Sequence, residues 1–133
     1  MGLPTELSYG FELVDKNRLV VIDWEPLLRD ILADFQSSVT TNAISAKFHN
    51  TLTAIIIAVA KRIGEEKVVL SGGCFQNKYL TERTVQALES KHLRPYWHQR
   101  VPPNDGGLAL GQAVAAGFIQ MESSCALPFL EKS

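Results

Sequence analysis

The sequence has little net charge, few cysteines and no long apolar run, and each scarcity excludes a class of protein. Thirteen lysines and arginines against fourteen aspartates and glutamates leave a net charge of −1, which gives no general attraction to nucleic acid or to anionic membranes. Two cysteines, Cys74 and Cys125, cannot form a four-ligand zinc site and suit a reducing compartment. The most apolar run, residues 54–60, is far shorter than the ~20 residues of a membrane span. We therefore expect a cytoplasmic chain that binds neither nucleic acid nor a membrane.

The length and composition are those of one folded domain. A chain of 133 residues buries enough surface to fold independently, and 46% hydrophobic with 20% charged residues is ordinary for a globular protein. We expect a single domain over residues 1–133, with an ordered core at about 8–121 and a loose tail at 122–133.

Apolar periodicity predicts an α/β domain. Two short apolar runs around the turn at Asp15–Asn17 predict a β-hairpin, and Asp23 with Pro26 is typical of a helix start. Apolar residues at helical spacing predict a long helix over 44–63, which Gly64 would end. The remaining predicted elements are a strand at 68–70, a helix at 77–91, a strand at 94–98 and a helix at 108–121. In this order the later strands would be parallel and joined through helices.

The first of two glycine-rich loops, SGGCFQN at 71–77, follows a predicted strand. Gly72 and Gly73 would let a ligand approach the backbone, and a following helix start favours an anion. Asn77 can cap that helix or turn its amide toward a ligand. A plain strand-to-helix turn explains the same residues, so both interpretations stay open at this point.

The second loop, PPNDGG at 102–107, also lies between a predicted strand and a predicted helix. Asp105 can cap the helix or help to hold a divalent metal, and Asn104, Gly106 and Gly107 lie beside it. Ligands of α/β sheets bind beyond the carboxyl ends of the strands, where both loops would lie. A shared nucleotide or acyl-phosphate cleft is therefore the functional alternative to two ordinary capped turns.

The histidines and Cys74 give no self-contained catalytic motif. His49, His92 and His98 form no His-x-x-x-His pair, which excludes a zinc-hydrolase site within this chain. His49 borders the apolar face of the long helix and is interpreted as a half-buried histidine bonded to a neighbour. His92 and His98 are interpreted as surface or strand-edge residues, and Cys74 as a residue that packs in its loop rather than a nucleophile.

Three strings together resemble the C-terminal end of the hydrogenase maturation carbamoyltransferase (HypF) family: KFHNTL at 47–52, VVLSGGCFQNKYLTER at 68–83 and VPPNDGGLALGQA at 101–113. The resemblance runs from YGFEL at 9–13 to about Gly117. It implies the second ribonuclease-H-like lobe of an actin-like ATPase domain, with a mixed sheet flanked by helices. It further implies a full-length enzyme that uses carbamoyl phosphate and ATP, through carbamoyl-adenylate, to carbamoylate the C-terminal cysteine of the partner protein HypE.

The resemblance also implies roles for individual residues. Asp105 would help to hold a divalent metal, iron or zinc, in the transfer site, and His49 is the one catalytic candidate, with no role assigned. The nucleotide would be faced by both loops, through the residues Gly72, Gly73, Asn77, Asn104, Gly106 and Gly107.

The resemblance also leaves parts of the family's machinery outside this chain. The family's His-x-x-x-His metal pair, its adenylate-forming domain and its zinc cysteines are absent from the sequence. We therefore expect the chain alone to be inactive, to bind metal and nucleotide weakly, and to need the first lobe and the adenylate-forming domain as partners. A non-catalytic scaffold or dimerisation lobe, including a homodimer, is the alternative. A tRNA threonylcarbamoyl transferase is a third, against which the two loop strings argue.

Overall fold

Residues 6–17 and 19–125 are described by the structure, a computed structural model, with only the backbone course given for 120–125. Strands β1 (Glu12–Lys16) and β2 (Leu19–Asp23) form an antiparallel hairpin in which Glu12 faces Asp23 and Lys16 faces Leu19. Asn17 adopts the left-handed conformation in the turn (φ 51°), which asparagine tolerates well. The predicted hairpin is confirmed.

Helix α1 spans Glu25–Gln36, and its N-cap is Trp24, one residue after the Asp23 that the sequence indicated as the helix start. Trp24 occupies the N-cap position, and the Asp23 carboxylate accepts the Glu25 N–H at 3.0 Å from one residue further out. Pro26 lies in the first turn, where its missing N–H has no intrahelical partner to lose. Leu27 is the buried residue of α1, whereas Leu32 and Phe35 remain exposed.

Helix α2 (Thr41–Ile63) is the longest element, and the structure confirms its prediction. The Thr40 side chain accepts the Ala43 N–H, and Gly64 ends the helix in the left-handed conformation (φ 81°). By length and composition α2 could also cross a membrane, a test that core helices of soluble proteins pass as well. Thr51 and Thr53 of α2 are buried against other parts of the chain, whereas only 22% of the apolar window of the helix is buried.

An extended segment at residues 6–10 lies on the helices and makes its hydrogen bonds to their side chains. The Asn50 amide donates to the Leu7 carbonyl at 2.9 Å, and the Tyr9 N–H donates to Thr51 Oγ1 at 2.7 Å. The Tyr9 hydroxyl donates to Asp34 at 2.9 Å, so α1 and α2 both hold the segment. Tyr9 is the buried residue of the segment, and the Thr51 hydroxyl of α2 supplies the partner that its buried backbone N–H requires.

Strand β3 (Lys67–Leu70) and strand β4 (Arg94–Trp97) pair with each other, and helix α3 (Lys78–Glu89) connects them in sequence. Helix α3 packs on α2 through a buried hydrogen bond of 3.2 Å between the hydroxyls of Thr53 and Thr84. Leu80 and Leu88 of α3 are also buried. The predicted strand–helix–strand order is confirmed.

Helix α4 (Leu108–Cys125) follows a short 3-10 helix at Asp105–Gly107. It continues four residues past the predicted end of the ordered core near 121, into the predicted loose tail at 122–133. The rest of that tail, residues 126–133, lies outside the described residues.

The α/β class predicted from the sequence is confirmed, although the described strands form two two-stranded sheets instead of one larger sheet. The described residues form two compact units, the first from residues 6–17, 19–69 and 77–96 and the second from residues 70–76 and 97–125. The expectation of one domain over 1–133 stays a prediction.

Candidate functional site

The two glycine-rich loops meet within the second unit. The backbone N–H of Gly72 donates to the carbonyl oxygen of Pro103 at 2.8 Å, which joins the loop after β3 to the loop after β4. Gly72 has φ +105°, a conformation that residues with a side chain rarely adopt. Glycine at position 72 therefore allows the positive φ at which its N–H reaches the Pro103 carbonyl oxygen of the other loop.

Asn104 is the N-cap of the short 3-10 helix in the second loop, whereas the sequence indicated Asp105 as the cap. Asn104 is extended, and its side chain accepts the Gly106 N–H at 3.1 Å, while Asp105 is the first residue of the 3-10 helix. A side chain on Gly107 would place its Cβ 2.8 Å from the Pro102 carbonyl oxygen, so only glycine fits there. Because Asn104 makes the cap, the exposed Asp105 carboxylate is not engaged in it.

A pocket of about 400 Å³ lies against both loops and the first turns of α4. At its edge the Ser71 hydroxyl and His98 Nε2 are 3.1 Å apart. Ser71 directly follows β3 and His98 directly follows β4, so the two side chains extend from the same ends of two paired strands. The sequence analysis missed this pair; the available signal was a polar residue immediately after each strand. The pocket is lined by Ser71, His98, Pro102, Pro103, Asn104, Gly107, Leu108, Gly111, Gln112 and Ala115.

Asn77 and His49 form a separate cluster in the first unit. Asn77 caps α3 by accepting the Leu80 N–H at 3.1 Å, as predicted, and its amide nitrogen is 2.8 Å from His49 Nε2. The other ring nitrogen of His49 is 2.7 Å from the Ser45 carbonyl oxygen. His49 is half-buried and bonded to neighbours, as the sequence analysis expected.

The sequence predicted that the first loop leads directly into α3, and the structure shows otherwise. Its glycine pair leads into a 3-10 helix at Gly73–Gln76, and Asn77 then begins α3. Cys74 within that turn is an exposed free thiol instead of a packed residue.

A metal centre does not fit the described residues by themselves. They contain no cluster of three or more His, Cys, Asp or Glu side chains that could hold an ion. Asp105 is therefore one carboxylate, and a divalent cation needs at least four ligands.

Tyr9, Asp34 and Lys47 form a hydrogen-bonded cluster in the first unit that shifts two pKa values. Asp34 Oδ2 receives hydrogen bonds from Lys47 Nζ at 2.7 Å and from the Tyr9 hydroxyl at 2.9 Å. The bond from Lys47, and after it the bond from Tyr9, lowers the pKa of the Asp34 carboxyl. Burial, together with the bond to Asp34, raises the pKa of Tyr9 to about 12. This cluster holds the segment at residues 6–10 and is structural.

Comparison with known proteins identifies relatives over most of the chain. Residues 3–112 match the family model described as the second subdomain of the carbamoyltransferase Kae1-like domain. The chain is 43% identical over 111 residues to carbamoyltransferase HypF of Synechocystis, covering 84% of this chain and 14% of that protein. It is 36% identical over 128 residues to carbamoyltransferase HypF of Rhizobium leguminosarum bv. viciae, covering 93% of this chain and 16% of that protein.

A solved structure has the same fold at similar identity. The crystal structure of full-length HypF in its phosphate- and nucleotide-bound form superimposes with a TM-score of 0.73 at 42% identity, over 86% of this chain and 16% of that one. The 133 residues therefore span about one seventh of the length of these relatives.

Proposed function

Because the chain belongs to the HypF carbamoyltransferase family, we propose that it forms the second lobe of a carbamoyl-transfer domain and contributes two loops to its cleft. The observation that carries the proposal is the 2.8 Å hydrogen bond from Gly72 to Pro103, which brings the two loops together. In the proposed reaction, hydrolysis of carbamoyl phosphate releases phosphate and carbamate, and the carbamate displaces pyrophosphate from ATP to give carbamoyl-adenylate. The C-terminal cysteine thiol of HypE then takes the carbamoyl group, loses its proton and releases AMP. The proposed compartment is the cytoplasm, which suits the free thiol of Cys74.

Nucleotide binding by the loops is supported by their shape and by the relative's bound state. An added Cβ on Gly72 would meet nothing within 4 Å, so phosphate or ribose oxygens could approach the backbone of the first loop closely, while Gly106 and Gly107 let the second loop fold tightly on itself beside it. The full-length HypF with which the chain superimposes was crystallised with phosphate and nucleotide. We propose that Gly73 and Asn104 contribute to the same loops, and Asn77 from the start of α3.

We further propose that Asp105 supplies one carboxylate to a metal site, iron or zinc, that other parts of the full-length protein complete. Hence this chain alone should neither carbamoylate nor bind metal tightly. Calorimetric titration of the isolated chain with ferrous iron or zinc tests this, and micromolar or tighter binding would refute it.

The decisive experiment uses the full-length carbamoyltransferase that carries this segment. Asp105→Ala should reduce carbamoyl transfer to the acceptor thiol by at least about tenfold, the effect of disturbing a metal's surroundings. ATP consumption with carbamoyl phosphate should persist, because the adenylate-forming domain lies elsewhere. Glu65→Ala, which removes an exposed carboxylate after α2, is the control and should leave both rates unchanged. Unchanged transfer by Asp105→Ala would refute the proposal.

Exposed apolar side chains on two helices favour the second candidate, a scaffold or dimerisation lobe. Leu32 and Phe35 of α1 and Leu108 and Phe118 of α4 are each at least 60% exposed. Light scattering across a concentration series would detect self-association. Dimer formation together with unchanged transfer in Asp105→Ala would favour this candidate over the cleft.

A further inference from the structure

The hydrogen bonds of His49 define one arrangement of its ring protons. The Ser45 carbonyl oxygen, 2.7 Å from Nδ1, can only accept a hydrogen bond, so Nδ1 carries the proton. In the neutral ring Nε2 is then an acceptor, and it lies 2.8 Å from the amide nitrogen of Asn77.

The orientation of the Asn77 amide is fixed independently, from its other side. Its Oδ1 accepts the Leu80 N–H at 3.1 Å as the cap of α3, which turns Nδ2 toward His49. The Thr81 hydroxyl also donates to the Asn77 backbone carbonyl at 3.0 Å, which ties the backbone of the cap to the first turn of α3. The cap and the histidine tautomer therefore require the same amide orientation.

The ring of His49 is also held by aromatic neighbours. Phe48 and Tyr79 each meet it edge-on, with ring centroids 5.7 Å away. The Tyr79 hydroxyl donates to Asn50 at 3.3 Å, which connects this packing to the buried part of α2. Rotation of the imidazole would disturb these contacts and both of its hydrogen bonds.

We infer that His49 is a positioning residue that, as the neutral Nδ1–H tautomer, holds Asn77 so that a ligand meets the donor edge of its amide. One Nδ2 hydrogen points to His49, which leaves the second on an exposed side chain. Because the Asn77 oxygen is engaged by the cap, the ligand atom must be a hydrogen-bond acceptor, such as a phosphate or ribose oxygen. The inference rests on the proposed nucleotide function of Asn77.

Nitrogen-15 NMR of the His49 ring in the unmodified chain tests the arrangement without any ligand. At about pH 8.5 the spectrum should show the proton on Nδ1 and an unprotonated Nε2. Asn77→Asp keeps an N-cap acceptor but replaces the amide donor by an acceptor, so Nε2 should become protonated. Protonated Nε2 in the unmodified chain, or no change in Asn77→Asp, would overturn the arrangement.

The full-length carbamoyltransferase tests the role. His49→Ala should raise the nucleotide concentration that half-saturates carbamoyl transfer about three- to tenfold, the value of one hydrogen bond, and leave the pH profile of kcat unchanged. His49→Gln should recover most of the affinity, because its side-chain oxygen can accept from Asn77. Loss of kcat by more than about a hundredfold in both variants, with a changed pH profile, would instead identify His49 as a general base and overturn the inference.

The two tests also separate this inference from the proposed function. If the unmodified full-length protein bound no nucleotide at the loops of this lobe, both the proposed nucleotide function and the ligand-facing role of Asn77 would be refuted. The NMR result would then still decide whether His49 and Asn77 are arranged as described. If ATP bound but His49→Ala bound it equally well, the inference alone would fail.

Discussion

The N–H of Gly72 and the carbonyl oxygen of Pro103 are 2.8 Å apart, although the two residues are 31 positions apart in the sequence. The bond connects a loop that follows β3 to a loop that follows β4, next to a pocket lined by both. It requires the positive φ of Gly72, so backbone conformation at one residue determines the relation between two candidate ligand loops.

Gly72→Ala should therefore destabilise the chain, by about 1–3 kcal/mol, because alanine is strained at φ +105°. Urea denaturation measures the change in the free energy of unfolding. Gly73→Ala is the matched control: an added Cβ meets nothing within 4 Å there, and the residue lacks a positive φ. Equal destabilisation by both substitutions would contradict the prediction.

The buried hydroxyls of Thr53 and Thr84 should behave as a coupled pair. Thr53→Val or Thr84→Val alone leaves the other hydroxyl without its 3.2 Å partner and should cost about 1–3 kcal/mol. Replacing both removes both polar groups at nearly constant volume, so the double variant should cost less than the sum. A double-mutant cycle by denaturation measures the coupling, and additive effects would argue against the bond.

Stability should fall at acid pH because the pKa of Asp34 is lowered in the folded chain, chiefly by Lys47. This contribution is present above the unfolded aspartate pKa of about 3.9 and is lost as pH falls through the lower folded value. Lys47→Met should make the decline below about pH 4 shallower. Thermal unfolding between about pH 2 and 6 measures how stability depends on pH. Lys61→Met, at an exposed lysine, is the control and should show the same pH dependence as the unmodified chain.

Stability should also fall at alkaline pH, because burial raises the pKa of Tyr9 from 10.0 to about 12. Between these values the unfolded chain has lost the phenolic proton while the folded chain keeps it, so stability decreases as pH rises. Tyr9→Phe should make the fall in the free energy of unfolding with rising pH shallower. The control Tyr96→Phe, at an exposed tyrosine, should leave that fall unchanged. Chemical denaturation across this range provides the comparison, and an unchanged slope in Tyr9→Phe would count against the prediction.

Local patterns predicted most of the elements and several of their ends. The apolar spacing of α2, with Gly64 after it, and the capping role of Asn77 follow from interactions within a few residues. The relations that build the candidate site join distant residues: Ser71 with His98, and His49 with Asn77. No local pattern specifies them, because they depend on how strands and helices pack. The cap at Asn104 was missed for another reason, since Asn104 and Asp105 are both good caps and backbone conformation decides between them.

The extended segment at residues 6–10 is held as a bound peptide would be. Helix side chains, rather than a neighbouring strand, satisfy its backbone groups at Leu7, Tyr9 and Gly10. Arg83 also meets the side chain of Glu6 at 2.8 Å, so the anchoring includes charge. A groove that recognises backbone in this way can be vacated and refilled. A chain that starts after residue 10 should accordingly be complemented by a synthetic peptide that spans the segment, with Thr51 as the residue on which recapture depends.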